Sequence, residues 1–372
     1  MKFSVGSQTL AAALGLSAQV VDTKATASGI LANVRIDAFK GSLAITATDL
    51  TITSHQEINA EVSSSCVACV EAAALLDLAK GGGGEMQFSL DADGGWMTVT
   101  SGHAVVCLPT WRSDLFPSIE MPELDAACEV SPSLMLGAIS AVDYCTGDNS
   151  RLTLAGVHVE VGKKLISFAA SDGARLAYAE AKGRYKGGVV MLASDRFCAA
   201  LRKLGVVDGD WQIGRDANKA WVKSGRTILM QTVYDLNFPN VQGVLSQLDT
   251  PVRIEVDGES LRSAARRALA FSDKSGDVLL AISGKRLKIS TESQRGSFSD
   301  EIECGEGEAS VTLAARYFAD TISTIATARI AIGVGDAHSA ILVEPVDSER
   351  TFDARHVLMP IFVTKKNHKE EK

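Results

Sequence analysis

The chain has 372 residues, 46% of them apolar, with 37 Lys and Arg against 45 Asp and Glu and a formal net charge of -8. That length exceeds one ordinary core and predicts two or three domains, while the acidic balance excludes a simple basic nucleic-acid binder, so any grip on phosphate must rest on local charge. No run of 18 apolar residues occurs, MKFSVGSQTL lacks the apolar core of a secretory signal, and the seven cysteines are odd in number and scattered, which predicts free thiols in the cytoplasm and no membrane segment.

In chain order, SQTLAAALGLSAQVV (7–21) predicts a helix and GSLAITATD (41–49) an alternating strand closed by an acid. CVEAAALLDLAKGG (69–82) then runs from a strand end into an amphipathic helix, DADGGW (91–96) reads as a turn, and FPSI (116–119) follows. The series restarts with SPSLMLGAISAVDYC (131–145), GKKLISFAASD (162–172), MLASDRFCAALRKLG (191–205) and FPNV (238–241). It restarts again with GESLRSAARRALAFS (258–272), GKRLKISTE (284–292), VTLAARYFADTISTIA (311–326) and MPIF (359–362). A Ser or Glu start signal opens the first helix of each set.

The spacing is regular. Asp49, Asp172 and Glu292 lie 123 and 120 residues apart, and both Pro117, Pro239, Pro360 and Val70, Leu192, Leu313 are separated by 122 and 121. A period of a third of the chain predicts three tandem α+β domains, 1–125, 126–249 and 250–363, each with two helices packed on half-buried antiparallel strands. The remaining residues, 364–372, are charged and predict a disordered tail. By thirds the charges are 6 basic and 14 acidic, then 14 and 12, then 17 and 19.

Three such repeats, with LAITATDL in the first, SDGARLA in the second and HVLMPIF in the third, make the chain resemble the bacterial DNA polymerase III beta subunit, or beta sliding clamp, family over residues 1–363. The resemblance implies a head-to-tail homodimeric ring around duplex DNA, with helices lining the hole and no catalytic activity. It implies a tether for the polymerase III alpha subunit, clamp-loader subunits and other proteins with a clamp-binding motif, docked between the second and third domains. No cofactor or metal is implied.

On that resemblance the pocket is formed by Thr153, Leu154, Ser171, Gly173, Ala174, Arg175 and Leu176, then Pro239, Gly243 and Val244, then Ser339, Val357, Leu358, Met359, Pro360 and Ile361. An apolar trough with a polar rim suits a short peptide or a peptide-like inhibitor. Ala174 stands where the family usually has His, and Gly243 where it often has a basic residue. A specialised or duplicated clamp with altered partner choice or inhibitor sensitivity is the alternative within this reading.

The residues assigned to DNA are Lys24, Arg151, Arg196, Arg202, Lys203, Arg262, Arg266 and Arg267, whose contacts would be to phosphates and independent of sequence. Those assigned to the dimer are Val106 and Leu108 against Ala270 and Phe271. Outside the family reading, Cys66 and Cys69 have the spacing of a thiol redox pair, but they sit at a strand end where small apolar residues pack. The dispersed histidines offer no zinc site. KGGGGE (80–85) lacks the ending of a phosphate loop, and no G-x-S-x-G elbow occurs.

Overall fold

A computed structural model describes residues 2–23, 29–124, 128–148, 150–205, 209–233, 237–273, 276–346 and 350–361. Lys24 and the tail 364–372 lie outside these residues.

The order strand, helix, strands, helix, strands recurs in each third. The helix pairs are Ser7–Val20 with Ala72–Gly81, Pro132–Val142 with Asp195–Leu201, and Gly258–Phe271 with Ala315–Thr324. Val70, Leu192 and Leu313 are each the next-to-last residue of the strand before the second helix of their set, so the sequence period marks one structural position. Start signals differ from the expectation in the first set, where Gly6 precedes the helix with no side-chain cap, and in the third, where Asp257 rather than Glu259 caps the helix by accepting from the Ser260 amide at 2.8 Å. Ser194 caps Asp195–Leu201 in the same way through the Phe197 amide.

The chain packs into two compact units, and the central third is divided between them. The first holds Met1–Leu136, Val161–Lys163 and Tyr185–Asp235; the second holds Gly137–Glu160, Lys164–Arg184 and Leu236–Lys372. Every strand pair described is antiparallel. In the first unit a thirteen-stranded sheet is continuous because Thr227–Thr232, from the central third, pairs with Ile52–Asn59. The helix Ser7–Val20 packs on Ser42–Thr48 and Ile52–Asn59 and buries Leu10, Leu14, Leu16 and Val20. Ser42–Thr48 departs from the expected alternation, being buried at every position after Ser42; a strand covered on both faces reads as continuous rather than alternating. Alternation holds at Glu85–Leu90 and Val157–Val161.

The second unit repeats the device. Arg175–Lys182, from the central third, pairs with Asp353–Leu358 in the register Arg175↔Leu358 and Leu176↔Val357. Beyond that joint the sheet runs through Ile341–Val346, Arg329–Val334 and Val252–Asp257 to the long hairpin Asp277–Ser293 and Gly296–Ala314. The core under the helices contains Leu261, Phe318, Ile322, Ile332 and Leu358, each at most 1% exposed.

Candidate functional site

The Asp-Gly turn at residues 171–175 is built by its own side chains. Asp172 Oδ1 accepts from the Ala174 and Arg175 amides at 2.9 and 3.1 Å. Ser171 Oγ donates to the Arg175 carbonyl at 2.8 Å and accepts from the Gly173 amide at 3.1 Å. Gly173 has φ +94°, which glycine adopts without strain, and a Cβ there would stand 3.1 Å from Arg151 Nη1. The turn therefore needs glycine twice, for its backbone and for the guanidinium beside it.

Arg175 organises everything behind the turn. Its side chain is 8% exposed; Nε donates to Asp172 Oδ2 at 2.9 Å, Nη1 to Asp320 Oδ2 at 3.1 Å, and Nη2 to the Tyr144 carbonyl at 3.0 Å. The guanidinium carbon lies 5.2 Å from the Tyr144 ring centre and 4.3 Å from that of Tyr317, so two rings bracket the charge. Burial works against that charge, but Asp172 and Asp320 outweigh it and hold the group above its ordinary value.

Tyr144 extends the network. Its hydroxyl accepts from Thr321 Oγ1 at 3.1 Å and lies 3.1 Å from His356 Nδ1. In that second contact either the phenol or the imidazole nitrogen can donate, according to the His356 tautomer. Complete burial pushes the His356 imidazole down to about 4, in keeping with a neutral ring.

In front of this assembly opens a cavity of about 760 Å³, whose walls include Thr146, Asp148, Arg151, Tyr317, Arg316 and Ile361. Met359, 50% exposed, is fixed over the turn by its amide, which donates to the Ala174 carbonyl at 2.9 Å, and Ile361 donates to the Thr312 carbonyl at 2.9 Å. Leu154, Leu176, Val357 and Leu358 are buried, as is Pro360, and none of them lines this cavity; of the expected pocket residues Arg175 and Ile361 do. Thr153 lies in the short turn Leu152–Leu154, half-buried. Pro239 precedes the short helix Val241–Ser246, where Asn240 accepts from the Gly243 amide at 3.0 Å and Val244 is exposed. Ser339 is held by Asp336 in a turn after Arg329–Val334.

Tyr144 and Tyr317, which with Asp320 bind Arg175 from a distance in sequence, carry no signal of their own in the chain. Arg316 and Asp320 are a visible i,i+4 pair on one helix.

The arginines assigned to DNA divide into two groups. Arg196 pairs with Asp49 and donates to the carbonyls of Val20 and Val21 at 2.9 and 3.2 Å, closing the end of Ser7–Val20. Arg262 does the same for Ala315–Thr324, donating to Ile325 and Thr327 carbonyls at 2.7 and 3.1 Å. Arg267 pairs with Asp300 and lies over Phe298. Arg151, Arg202, Lys203 and Arg266 are exposed, and Arg266 has no ion-pair partner among the described residues.

Val106 and Leu108 sit on Ala104–Trp111, opposite Val99 and Met97. That strand also exposes Val105 and Trp111, at 64% and 46%. Phe271 is 40% exposed and stacks on Phe298 with ring centres 6.3 Å apart; Ala270 beside it is exposed. Cys66 and Cys69, three apart on Cys66–Glu71, face opposite sides of the sheet. Burial raises both thiols, Cys69 to about 11, which suppresses the thiolate that exchange chemistry needs. The redox reading is therefore not favoured.

Residues 1–120 match the family described as DNA polymerase III beta subunit, N-terminal domain. A beta sliding clamp of Synechococcus elongatus is 23% identical over 353 residues, covering 89% of this chain and 92% of that protein. One from Pseudomonas putida is 22% identical over 373 residues, covering 97% and 100%. Among solved structures, the Thermotoga maritima DNA polymerase III beta subunit superposes with a TM-score of 0.88 at 21% identity, over 98% of this chain and 100% of that one. A Pseudomonas aeruginosa sliding clamp bound to griselimycin gives 0.89 at 22% identity with the same coverage.

Proposed function

We propose that the chain is a member of the DNA polymerase III beta subunit family and acts as a DNA sliding clamp, a processivity factor that holds a polymerase on its template. In this reading two chains close head to tail around duplex DNA, the thirds 1–125, 126–249 and 250–363 act as three domains, and the protein performs no chemistry. The recurring order of strands and helices in each third supports that division. The partners are duplex DNA, a second copy, the polymerase III alpha subunit, clamp-loader subunits and other proteins bearing a short docking peptide. No described helix is long and apolar enough to cross a membrane, and the work belongs in the cytoplasm, where DNA is replicated.

The observation that carries the tethering role is the Asp172 turn. Ile361 and Tyr317 are apolar groups in a largely polar cavity whose rear wall is locked by Arg175, and Met359 is exposed on a backbone bonded to the turn, so apolar contacts are offered on a rigid frame. Rigid pockets lose little freedom when a peptide docks. A relative of the same fold was solved bound to griselimycin, which supports a ligand-accepting site; the peptide-like inhibitor class fits the same trough.

Encirclement is tested with closed circular duplex. Phosphate contacts are independent of sequence, so the loaded protein is expected to stay on circles of any sequence and to run off once the circle is cut. Equal retention on cut and closed DNA would refute the ring.

A further inference from the structure

The turn at Asp172 has a twin 123 residues earlier. Thr48 Oγ1 donates to the Ile52 carbonyl and accepts from the Leu50 amide, both at 3.0 Å, as Ser171 does with Arg175 and Gly173. Asp49 Oδ1 accepts from the Thr51 and Ile52 amides at 2.8 and 2.6 Å, as Asp172 does from Ala174 and Arg175. The neighbouring strand docks in the same register: the Thr232 amide donates to the Thr51 carbonyl at 2.8 Å as Met359 does to Ala174, and Ile52 faces Gln231 as Arg175 faces Leu358. Pro117, the repeat partner of Pro239, lies alongside.

A cavity of about 140 Å³ opens at this twin, inside the first unit, lined among others by Leu50, Ile119, Met230 and Lys219. One wall is unusual. Leu50 takes the place of Gly173 yet keeps the left-handed backbone, φ +76°, while its side chain is 62% exposed. A bulky residue is strained there, and burial in the free chain does not offset the strain. Bound backbone conformations of this kind are held where the surroundings over-determine them, here by the four hydrogen bonds of the turn, and mark functional positions.

We propose that the Asp49 turn is a second, smaller docking site, which takes one aliphatic side chain of a partner's extended peptide. The cavity is too small for more, and Lys219, whose Nζ rests on the Glu120 carbonyl at the rim, favours a carboxylate next to that side chain. The inference rests on the reading of the Asp172 turn as a peptide site, since the two share backbone and register. A partner bearing two such segments would be held at two points of one chain, which raises its residence without a tighter main pocket.

The test uses the full chain with carbon-13 methyl labels on Met and Ile, titrated with acetyl-Leu-Asp-amide. Met230 and Ile119 report the Asp49 cavity, and Met359 and Ile361 report the Asp172 cavity. The expected result is saturable shifts at both pairs, with Leu50→Gly weakening the Met230 isotherm roughly fivefold or more and leaving that of Met359 unchanged. Because Leu50 is mostly exposed, this variant keeps the fold. Shifts at Met359 alone would overturn the second site and leave the first standing. Shifts at Met230 alone would support the second while the first fails. No shift at either, or a Met230 isotherm indifferent to Leu50→Gly, overturns the proposal.

Discussion

Replacing Arg175 by Ala removes the group on which the rear of the main cavity is built. The guanidinium is 8% exposed, and its loss strands Asp172, 16% exposed, and Asp320, 34% exposed. Removing one partner of a fully buried pair costs about 3 to 5 kcal/mol. Here Asp172 keeps two backbone amides and Asp320 reaches water, so the lower end, about 3 kcal/mol, is expected. The readout is amide exchange in Arg175–Lys182 and Asp353–Leu358, the strands paired behind the turn. A loss of that size accelerates exchange roughly a hundredfold there when reclosing outpaces exchange. Asp320→Asn, at the wetter end of the network, should accelerate it only about tenfold or less. Arg175→Lys keeps a charge but not the fork that reaches three acceptors in two directions, so it should resemble Ala more than the parent. Exchange in Arg175→Ala within about twofold of the parent would refute the view that this side chain holds the joint.

Further expectations are brief. Met359→Ala with Leu176→Ala should lower the affinity of polymerase-derived peptides at least about tenfold by fluorescence anisotropy, whereas Ala174→His should change peptide preference with the melting curve unmoved. Phe271→Asp should shift the protein toward monomer in sedimentation, because it places a charge in an apolar contact. Arg266→Glu should shorten residence on circular DNA with the fold intact, while Arg262→Ala should chiefly lower stability, since its guanidinium holds two carbonyls. For His356 the folded value of about 4 lies below the unfolded 6.5, so the unfolded chain binds the extra proton between these limits. Its contribution is complete above pH 6.5 and falls by about 2 kcal/mol by pH 5. His356→Gln should flatten that part of the stability profile measured by denaturant titration.

The repeats were legible because they rest on local chemistry. An acidic side chain that closes a strand by accepting two amides, at Asp49 and Asp172, and a strand that stops just before the second helix in all three copies are short-range patterns, whereas Glu292 lies inside the strand Asp277–Ser293. The turn itself was equally plain, since Asp172 and Gly173 act within five residues. What the chain did not show is how Arg175 is engaged. An arginine next to a pocket reads as a rim cation, and only the approach of Tyr144, Tyr317 and Asp320, brought together by folding, turns it into a buried strut. Arg196 and Arg262 make the same point: a helix-borne arginine reads as a phosphate contact in the sequence, and folding also sets its guanidinium on the open carbonyls of another helix.

Position in the repeat, more than residue type, is what links the two turns to function. At 49 and 172 the same hydrogen bonds hold the same backbone, yet glycine makes room for Arg151 in one and Leu50 stands exposed in the other. The scaffold is thus common to both surfaces: the bonds fix the turn, and the residue at the left-handed position, exposed Leu50 in one and Gly173 in the other, distinguishes the faces they present. If that argument holds, exchanging the two residues has opposite costs. Leu50→Gly relieves strain and removes one wall of the small cavity, whereas Gly173→Leu adds strain and drives a side chain into Arg151. The first variant should fold normally and lose only its own site; the second should loosen the large cavity and accelerate amide exchange in Arg175–Lys182.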